Sequence, residues 1–165
     1  METLFHPKAS RAICVIAFIR RNGGEFMSKN LTILATIKNW PKIYDFLYEY
    51  FFNEGLQSRE IQKLIVSCEE IFTNIVCHSG IQKFGEVEIS AQYDALNKSA
   101  VLTFMYGGIQ FDVAKACSAK LGKCDNLDKF GGLGLLILKK FTDDIKYSYS
   151  NYAKKNTLVI SKKIV

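Results

Sequence analysis

The sequence predicts an α+β fold, a two-layer sandwich in which helices cover one face of a mixed, mainly antiparallel sheet. Two pairs of segments with alternating apolar side chains are each joined by a short polar turn, as the strands of a hairpin are. Two amphipathic helical patterns precede the first pair. Hairpins with helices gathered on one side are typical of this architecture. A chain of 165 residues, 48% of them apolar, fits one domain with a real core.

One strand and two helices are predicted in the first half of the chain. The β-rich "LTILATI" (31–37) predicts a strand, and Pro41 favours a helix start soon after it, because proline fits the first helical turn. Residues 42–55 carry apolar side chains at i, i+3, i+4, i+7 and i+8, which predicts a helix packed on a core. Those side chains are Ile43, Phe46, Leu47, Tyr50 and Phe51. A second apolar stripe predicts a helix from Ser58 to about Ser79.

The second half of the chain contains the two hairpins. Residues 85–95 and 99–106 alternate like neighbouring strands. A polar, poorly patterned stretch then runs to Lys129, and so long a loop in a compact domain is usually functional or mobile. A helix follows and ends near Phe141, and "DIKYSYSNY" and "NTLVISKKI" predict the final two strands.

Residues 1–26 differ in pattern from the rest. The segment "AICVIAFI" (12–19) is too short to span a bilayer, and the "RRNGG" after it is unlike the cleavage site of a secretory signal. We therefore expect no membrane role. Because Met27 opens a polar start that leads into the first strand, we expect the functional domain to cover residues 27–165. Residues 1–26 are then an extension or a mis-assigned start.

Charge and cysteine content weigh against two classes of protein. The 22 Lys and Arg against 16 Asp and Glu give a net charge of +6, but the basic residues are scattered and form only short pairs. We therefore do not expect direct nucleic-acid binding. The five cysteines form no CxxC pair, which argues against a zinc or redox site and favours reduced thiols in a cytoplasmic protein.

Gly131, Gly132 and Gly134 stand immediately before the helix that ends near Phe141. A helix begins with unpaired backbone N–H groups and the positive end of its dipole, so it attracts anions. Glycine lets the backbone approach a phosphate without a Cβ in the way. By itself the motif is weak, because such glycines more often serve as a hinge or in packing.

Glu70, Asn74 and His78 recur one helical turn apart, on the face of the second helix opposite its apolar stripe. Such a face is ordinarily solvated. A carboxylate and an amide one turn apart are also what phosphoryl transfer requires, since an amide oxygen can bind magnesium and a carboxylate can deprotonate the attacking hydroxyl. Glu69 is the alternative to Glu70, but it lies about 100° around the helix and aligns less well with Asn74.

Four motifs follow one another in an order that resembles the bacterial anti-sigma factor and serine-protein kinase family. They are "EEIFTN…H", "YGGIQFD", "GGLGLLILKKFTDDIKY" and "NTLVISKK". That family belongs to the wider group of ATPases shared by histidine kinases, gyrase, the Hsp90 chaperone and the mismatch-repair protein MutL. The resemblance covers about residues 29–164. It implies the Bergerat-type ATP-binding fold of that group.

The resemblance also implies roles for individual residues. Glu70 is implied to be the catalytic base, and Asn74 the ligand of the Mg²⁺ ion that bridges the phosphates of ATP. Residues 113–130 correspond to a lid over the nucleotide. The other implied ATP-binding residues are Gly107 and Gly108 beside the purine, Gly131, Gly132, Leu133 and Gly134 around the phosphates, and Thr157 in support of the adenine. His78 matches a common histidine of the family, and we interpret it as helix-end structure.

One position departs from the pattern of the family. Two residues before the glycine aligned at Gly108, the family usually has an aspartate that accepts a hydrogen bond from the adenine amino group, and this chain has Tyr106. A phenol can accept one hydrogen bond or stack on the base, but it cannot supply a buried anion. We therefore assign Tyr106 to the purine side of the site and expect weakened ATP binding. Asp112 aligns with the acidic residue that follows the family's aromatic, here Phe111.

Two hypotheses from different classes remain open. In the first, the chain is a serine/threonine-protein kinase that uses ATP and Mg²⁺ to phosphorylate an antagonist (anti-anti-sigma) protein, and it sequesters a sigma factor when the antagonist is absent. Glu70 and Asn74 favour this hypothesis. In the second, a catalytically weak or inactive regulatory module of the same fold acts by partner capture alone, which Tyr106 favours. The resemblance is also compatible with a homodimer.

Overall fold

The structure, a computed structural model, describes residues 13–21, 24–81, 85–110, 112 and 133–165. Six strands lie in these ranges: β1 (Ile13–Arg21), β2 (Gly24–Leu34), β3 (Glu86–Asp94), β4 (Ser99–Tyr106), β5 (Asp144–Ser150) and β6 (Lys155–Lys163). Three α-helices accompany them: α1 (Trp40–Asn53), α2 (Ser58–His78) and α3 (Leu133–Phe141). A short 3-10 turn at Ile37–Asn39 leads into α1.

The six strands form one antiparallel sheet in the order β1-β2-β3-β4-β6-β5. β3 and β4 form one hairpin and β5 and β6 the other, as the alternating sequence predicts. The hairpins meet where β4 pairs with β6, from Ser99 opposite Lys163 to Tyr106 opposite Asn156. The apolar side chains on one face of β2, β3, β4 and β6 pack with the helices into a single core. This arrangement confirms the predicted fold class.

Helix α1 packs on the sheet through the predicted apolar stripe. The five predicted side chains, Ile43, Phe46, Leu47, Tyr50 and Phe51, are the ones that α1 buries. Pro41 lies in its first turn, where backbone N–H groups have no partner within the helix, so the missing N–H of proline costs no hydrogen bond. The helix ends before Gly55, whose φ of +81° a side chain would strain. The Tyr50 hydroxyl accepts a hydrogen bond from the Tyr93 backbone N–H at 3.0 Å, which ties α1 to β3.

Helix α2 is the central helix of the layer, in contact with both α1 and α3. Its apolar stripe is buried, and an ion pair links its first turn to β6. Glu60 is 7% exposed and pairs with Lys63 and with Lys162 of β6, whose Nζ lies 3.5 Å from Glu60 Oε2. Burial acts to raise the pKa of Glu60, but the two lysines outweigh it and leave the pKa below its ordinary value of 4.5.

The sheet begins earlier in the chain than the sequence predicts. β2 starts at Gly24, not near residue 31, and β1 lies wholly within residues 1–26. The two strands pair from Ile13 opposite Thr32 to Arg21 opposite Gly24. The physical reason is that "AICVIAFI" is rich in β-branched and aromatic residues, a composition that suits a β-strand. The domain boundary near Met27 stays a prediction. None of the described helices is both long and apolar enough to cross a membrane.

Candidate functional site

Glu70 and Asn74, one turn apart on α2, are hydrogen-bonded to each other. The Asn74 side-chain amide donates from Nδ2 to Glu70 Oε1 at 2.9 Å and to the Glu70 backbone carbonyl at 2.8 Å. Because a carboxylate only accepts hydrogen bonds, the Asn74 NH₂ group must face Glu70 and its Oδ1 atom faces away. That oxygen is the atom available to ligate a hard cation such as Mg²⁺. Glu69 is exposed on the helix surface, so the geometry favours Glu70 as the partner of Asn74.

Gly134, in the first turn of α3, lies directly against the Glu70 side chain. A Cβ on Gly134 would overlap the carboxyl carbon and both carboxylate oxygens of Glu70. Only glycine fits there unless the carboxylate or the helix moves. The contact brings the first turn of α3 beside the Glu70–Asn74 pair, and a helix has the positive end of its dipole and N–H groups without intrahelical partners at its start.

The other parts of the predicted phosphate site are described only in part. Leu133 is the first residue of α3. Gly131 and Gly132 lie outside the described residues, and so does the predicted lid at 113–130. The assignment of these residues and of Gly134 to phosphate binding stays a prediction, to which the position of α3 gives a physical basis.

The predicted purine turn, Gly107–Gly108, rests on the end of α2. Gly108 has a φ of +111°, and a Cβ on it would overlap the carbonyl oxygen of Ser79, the residue after the helix. Ile109 donates its backbone N–H to that carbonyl at 2.7 Å. Ser79 is fully buried, and its hydroxyl donates to the Ile75 carbonyl at 2.6 Å. Gly107 has open space where a Cβ would lie, so the turn requires glycine only at 108.

Tyr106 ends β4 and is buried on the sheet face that carries the helices, with 1% of its surface exposed. Its hydroxyl and Asn30 Oδ1 are the two buried side-chain atoms without a hydrogen-bond partner in the part of the chain that the structure describes. Burial raises the pKa of Tyr106, and the nearby Tyr147 and Asp112 add to the effect, so the O–H group persists at neutral pH. An unsatisfied buried hydroxyl costs about 1–3 kcal/mol, which a polar ligand would recover.

Asn156 and Thr157 are neighbours on β6 but face opposite sides of the sheet. Asn156 is fully buried and stands opposite Tyr106 in the β4–β6 register, so both side chains lie on the helix side. Its Oδ1 accepts a hydrogen bond from the Tyr147 hydroxyl at 2.6 Å, and its Nδ2 donates to the Ile109 carbonyl at 3.3 Å. Thr157 is partly exposed, and by strand alternation it lies on the outer side. The structure therefore does not bring Thr157 to the face of Tyr106, where Asn156 stands instead.

Helix α2 joins the two ends of this candidate site. Glu70 contacts Gly134 at one end, and Ser79 contacts Gly108 at the other. From Glu70 to its C-cap residue Ser79, the helix spans about 13 Å at 1.5 Å per residue. His78 is the exposed last residue of α2. This length suits an extended ligand with an anionic part near α3 and a flat part near the end of β4.

Three residues that shape the site were not singled out from the sequence as site residues. They are Ser79, Tyr147 and Asn156. Ser79 is recognisable from the sequence only as part of a helix stop. Strand alternation could have identified Asn156, because it shares a face of β6 with the core residues Leu158 and Ile160. No local pattern marks Tyr147, since its partner lies across the hairpin.

The family model of the histidine kinase-like ATPase domain matches residues 33–162. No curated protein is a significant match. Among solved structures, the chain is similar to the RsbU and RsbW domains of Rv1364c from Mycobacterium tuberculosis, at 14% identity and a TM-score of 0.56. The match covers 82% of this chain and 32% of the other, so the chain spans about a third of the length of that protein.

At 14% identity the structural likeness shows the fold alone. The range matched by the family model contains the Glu70–Asn74 pair, the Gly107–Gly108 turn, α3 and most of β6. The wider ATPase group predicted from the sequence is thereby confirmed. This chain belongs to the histidine kinase-like ATPase domain family.

Proposed function

We propose that the chain is a cytoplasmic, ATP-dependent serine/threonine-protein kinase that phosphorylates an antagonist protein and sequesters a sigma factor when the antagonist is absent. The observation that carries the proposal is the hydrogen bond between Asn74 and Glu70 beside Gly134. A carboxylate, an outward amide oxygen and a helix start meet at this point. These groups suit a base, a metal ligand and a phosphate-binding turn.

The residues present fit Mg²⁺ and ATP. Mg²⁺ prefers oxygen ligands and keeps several waters, and Asn74 Oδ1 offers one such ligand at a partly exposed position. The unpaired N–H groups at the start of α3 suit phosphate oxygens. The buried, unpaired hydroxyl of Tyr106 suits a polar edge of the base. When bound, Mg-ATP supplies the phosphoryl group for transfer.

Each residue then has a separate task in the proposed reaction. Glu70 accepts the proton of the incoming serine or threonine hydroxyl, which makes that oxygen a better nucleophile. Asn74 holds the Glu70 carboxylate through its NH₂ group, so the base keeps one orientation. Gly134 leaves room for that carboxylate beside α3. Because Glu70 is only partly buried, a hydroxyl on another protein can reach it.

The choice of partners rests on the order of the sequence motifs, which resembles the anti-sigma factor and serine-protein kinase family. The likeness to a solved structure that contains an RsbW domain is in keeping with that choice. The site itself supports nucleotide chemistry and does not distinguish among protein partners. A homodimer is part of the same proposal.

Three alanine variants test the kinase proposal. Glu70→Ala should bind ATP but lose phosphoryl transfer, since only the base is removed. Asn74→Ala should lose magnesium-dependent ATP binding. Glu69→Ala is the matched control, because Glu69 is a neighbouring glutamate exposed on the helix surface, and it should behave like the parent chain. Calorimetry with ATP, with and without magnesium, and phosphorylation of a candidate antagonist are the measurements. Transfer at the parental rate by Glu70→Ala overturns the role of Glu70.

Tyr106 favours a second candidate function, a regulatory module that captures its partner without turnover. Tyr106 places a neutral phenol where the family usually has a carboxylate, and the side chain is buried at the end of β4. In this case the chain binds its partner equally well with and without ATP, and it transfers no phosphate. The same calorimetry and transfer assays separate the two functions.

A further inference from the structure

We propose that Tyr106 reads the base of the nucleotide both as a donor and as an acceptor, so that the site takes 6-oxopurine nucleotides as well as adenine nucleotides. The inference rests on the proposed function in that the ligand is a purine nucleotide. With Tyr106 at this place, the site discriminates only weakly between an amino and an oxo group at position 6 of the purine.

The position of Tyr106 places it at the base end of the site. It lies at the end of β4, directly before the Gly107–Gly108 turn that is held against Ser79, the residue after α2. Asn156 stands opposite it on the same face of the sheet. Glu70 lies about 13 Å back along α2 from Ser79, beside Gly134 in the first turn of α3, where an anion is expected. A nucleotide with its phosphates near α3 therefore has its base near Tyr106.

Two other polar residues of this end of the site, Asn156 and Ser79, use their side chains within the fold. Asn156 uses Oδ1 for the Tyr147 hydroxyl and Nδ2 for the Ile109 carbonyl. The Ser79 hydroxyl donates to a backbone carbonyl of α2 and accepts from the backbone N–H of Ile81 at 3.2 Å. The Tyr106 hydroxyl has no partner among the described residues. Since a buried hydroxyl without a partner is unfavourable, it is the group with most to gain from a ligand.

The chemistry of a phenol differs from that of a carboxylate at this point. A carboxylate only accepts hydrogen bonds, so it suits the 6-amino group of adenine and repels the 6-oxo group of hypoxanthine or guanine. A phenol hydroxyl can accept from the amino group or donate to the oxo group. Burial raises the pKa of Tyr106, with Tyr147 and Asp112 adding to the effect, so its proton stays in place. The Tyr106 side chain can therefore form a hydrogen bond with a 6-amino purine or with a 6-oxo purine.

Equilibrium binding of ATP and ITP to the full chain, each with magnesium, tests the inference. The two nucleotides differ at position 6 of the base, and the expected dissociation constants lie within about tenfold of each other. Tyr106→Phe removes the hydroxyl alone and should weaken both nucleotides by about three- to tenfold. Tyr152→Phe removes a hydroxyl from a fully exposed tyrosine and should leave both constants unchanged.

A further variant, Tyr106→Asp, should favour ATP over ITP by at least about tenfold, because it restores an acceptor-only group. Circular dichroism shows whether it folds, and the Tyr106→Phe result decides the question if it does not. Binding of ATP with ITP about a hundredfold weaker overturns the inference and leaves the proposed function standing. Equal binding that Tyr106→Phe does not change also overturns it. If neither nucleotide binds, the proposed function fails, and the inference fails with it.

Discussion

The carboxylate of Glu70 occupies the space that a Cβ on Gly134 would fill. This contact brings α2 and α3 close together at the point where the proposed base and the proposed phosphate-binding turn meet. Gly134 therefore lets α3 approach Glu70 this closely with the carboxylate in its observed position, whether or not a phosphate is bound. From the sequence, the glycines before α3 can be explained either by packing or by phosphate binding. At Gly134 the two explanations are compatible.

Gly134→Ala should destabilise the chain only while Glu70 is present. In the parent chain the added methyl group forces the carboxylate to move away from its bond with Asn74, and we expect a loss of up to about 1 kcal/mol in the free energy of unfolding. In the Glu70→Ala background the space is open. There the same substitution should stabilise by up to about 1 kcal/mol, because alanine is the better helix former.

Urea unfolding of the parent, the two single variants and the double variant measures this change of sign. A loss of equal size in both backgrounds contradicts the contact. It would mean that the backbone at Gly134, and not the Glu70 side chain, requires glycine.

Asn156→Ala and Thr157→Ala should have different effects, although the residues are neighbours. Asn156→Ala removes the bonds of Asn156 to the Tyr147 hydroxyl and to the Ile109 carbonyl, so we expect a loss of about 1–3 kcal/mol in stability and weaker ATP binding. Thr157→Ala on the outer face should cost less than about 0.5 kcal/mol and leave ATP affinity unchanged. Thermal unfolding and ATP titration of both variants are the measurements. Weaker ATP binding in Thr157→Ala alone supports the role that the family resemblance implies for Thr157.

The Glu60–Lys162 pair should make the free energy of unfolding depend on pH in the acidic range. The pKa of Glu60 is lower in the folded chain than its ordinary value of 4.5, so its ionised form stabilises the fold above that value, and this contribution disappears as the pH falls through the lowered pKa. Glu60→Gln should therefore lower stability by about 1–3 kcal/mol at neutral pH and by progressively less in acid.

Urea unfolding between about pH 7 and pH 3 measures this difference. Glu49→Gln is the matched control, because Glu49 forms an exposed pair with Lys29 at 3.3 Å, and such pairs contribute about 1 kcal/mol or less. A difference between Glu60→Gln and the parent that stays constant over the whole range contradicts the electrostatic role.

A chain that starts at Met27 tests the domain boundary. From the sequence, its thermal midpoint should equal that of the full chain. The structure changes this expectation, because β2 loses its first three residues and its pairing with β1. We now expect the shortened chain to fold, since the described core lies beyond residue 27, but with a midpoint several degrees lower. An unchanged midpoint, measured by circular dichroism, would place the boundary at Met27 as first predicted.

The sequence by itself determined the helices, the two hairpins and the family. The stripe from Ile43 to Phe51 and the alternation in residues 99–106 are local patterns with the period of the element they form, and burial follows directly from them. Glu70 and Asn74 could also be paired from the sequence, because one helical turn separates them and the helix geometry is fixed.

Only the tertiary structure decided the contacts between distant segments. The fit of Gly134 against Glu70, the position of Gly108 on Ser79 and the place of β1 in the sheet depend on how elements pack, and no periodic pattern encodes that. The β4–β6 register likewise put Asn156, not Thr157, beside Tyr106. A shift of one residue along a strand moves a side chain to the other face, so a site at the end of a strand is determined by pairing and not by residue type.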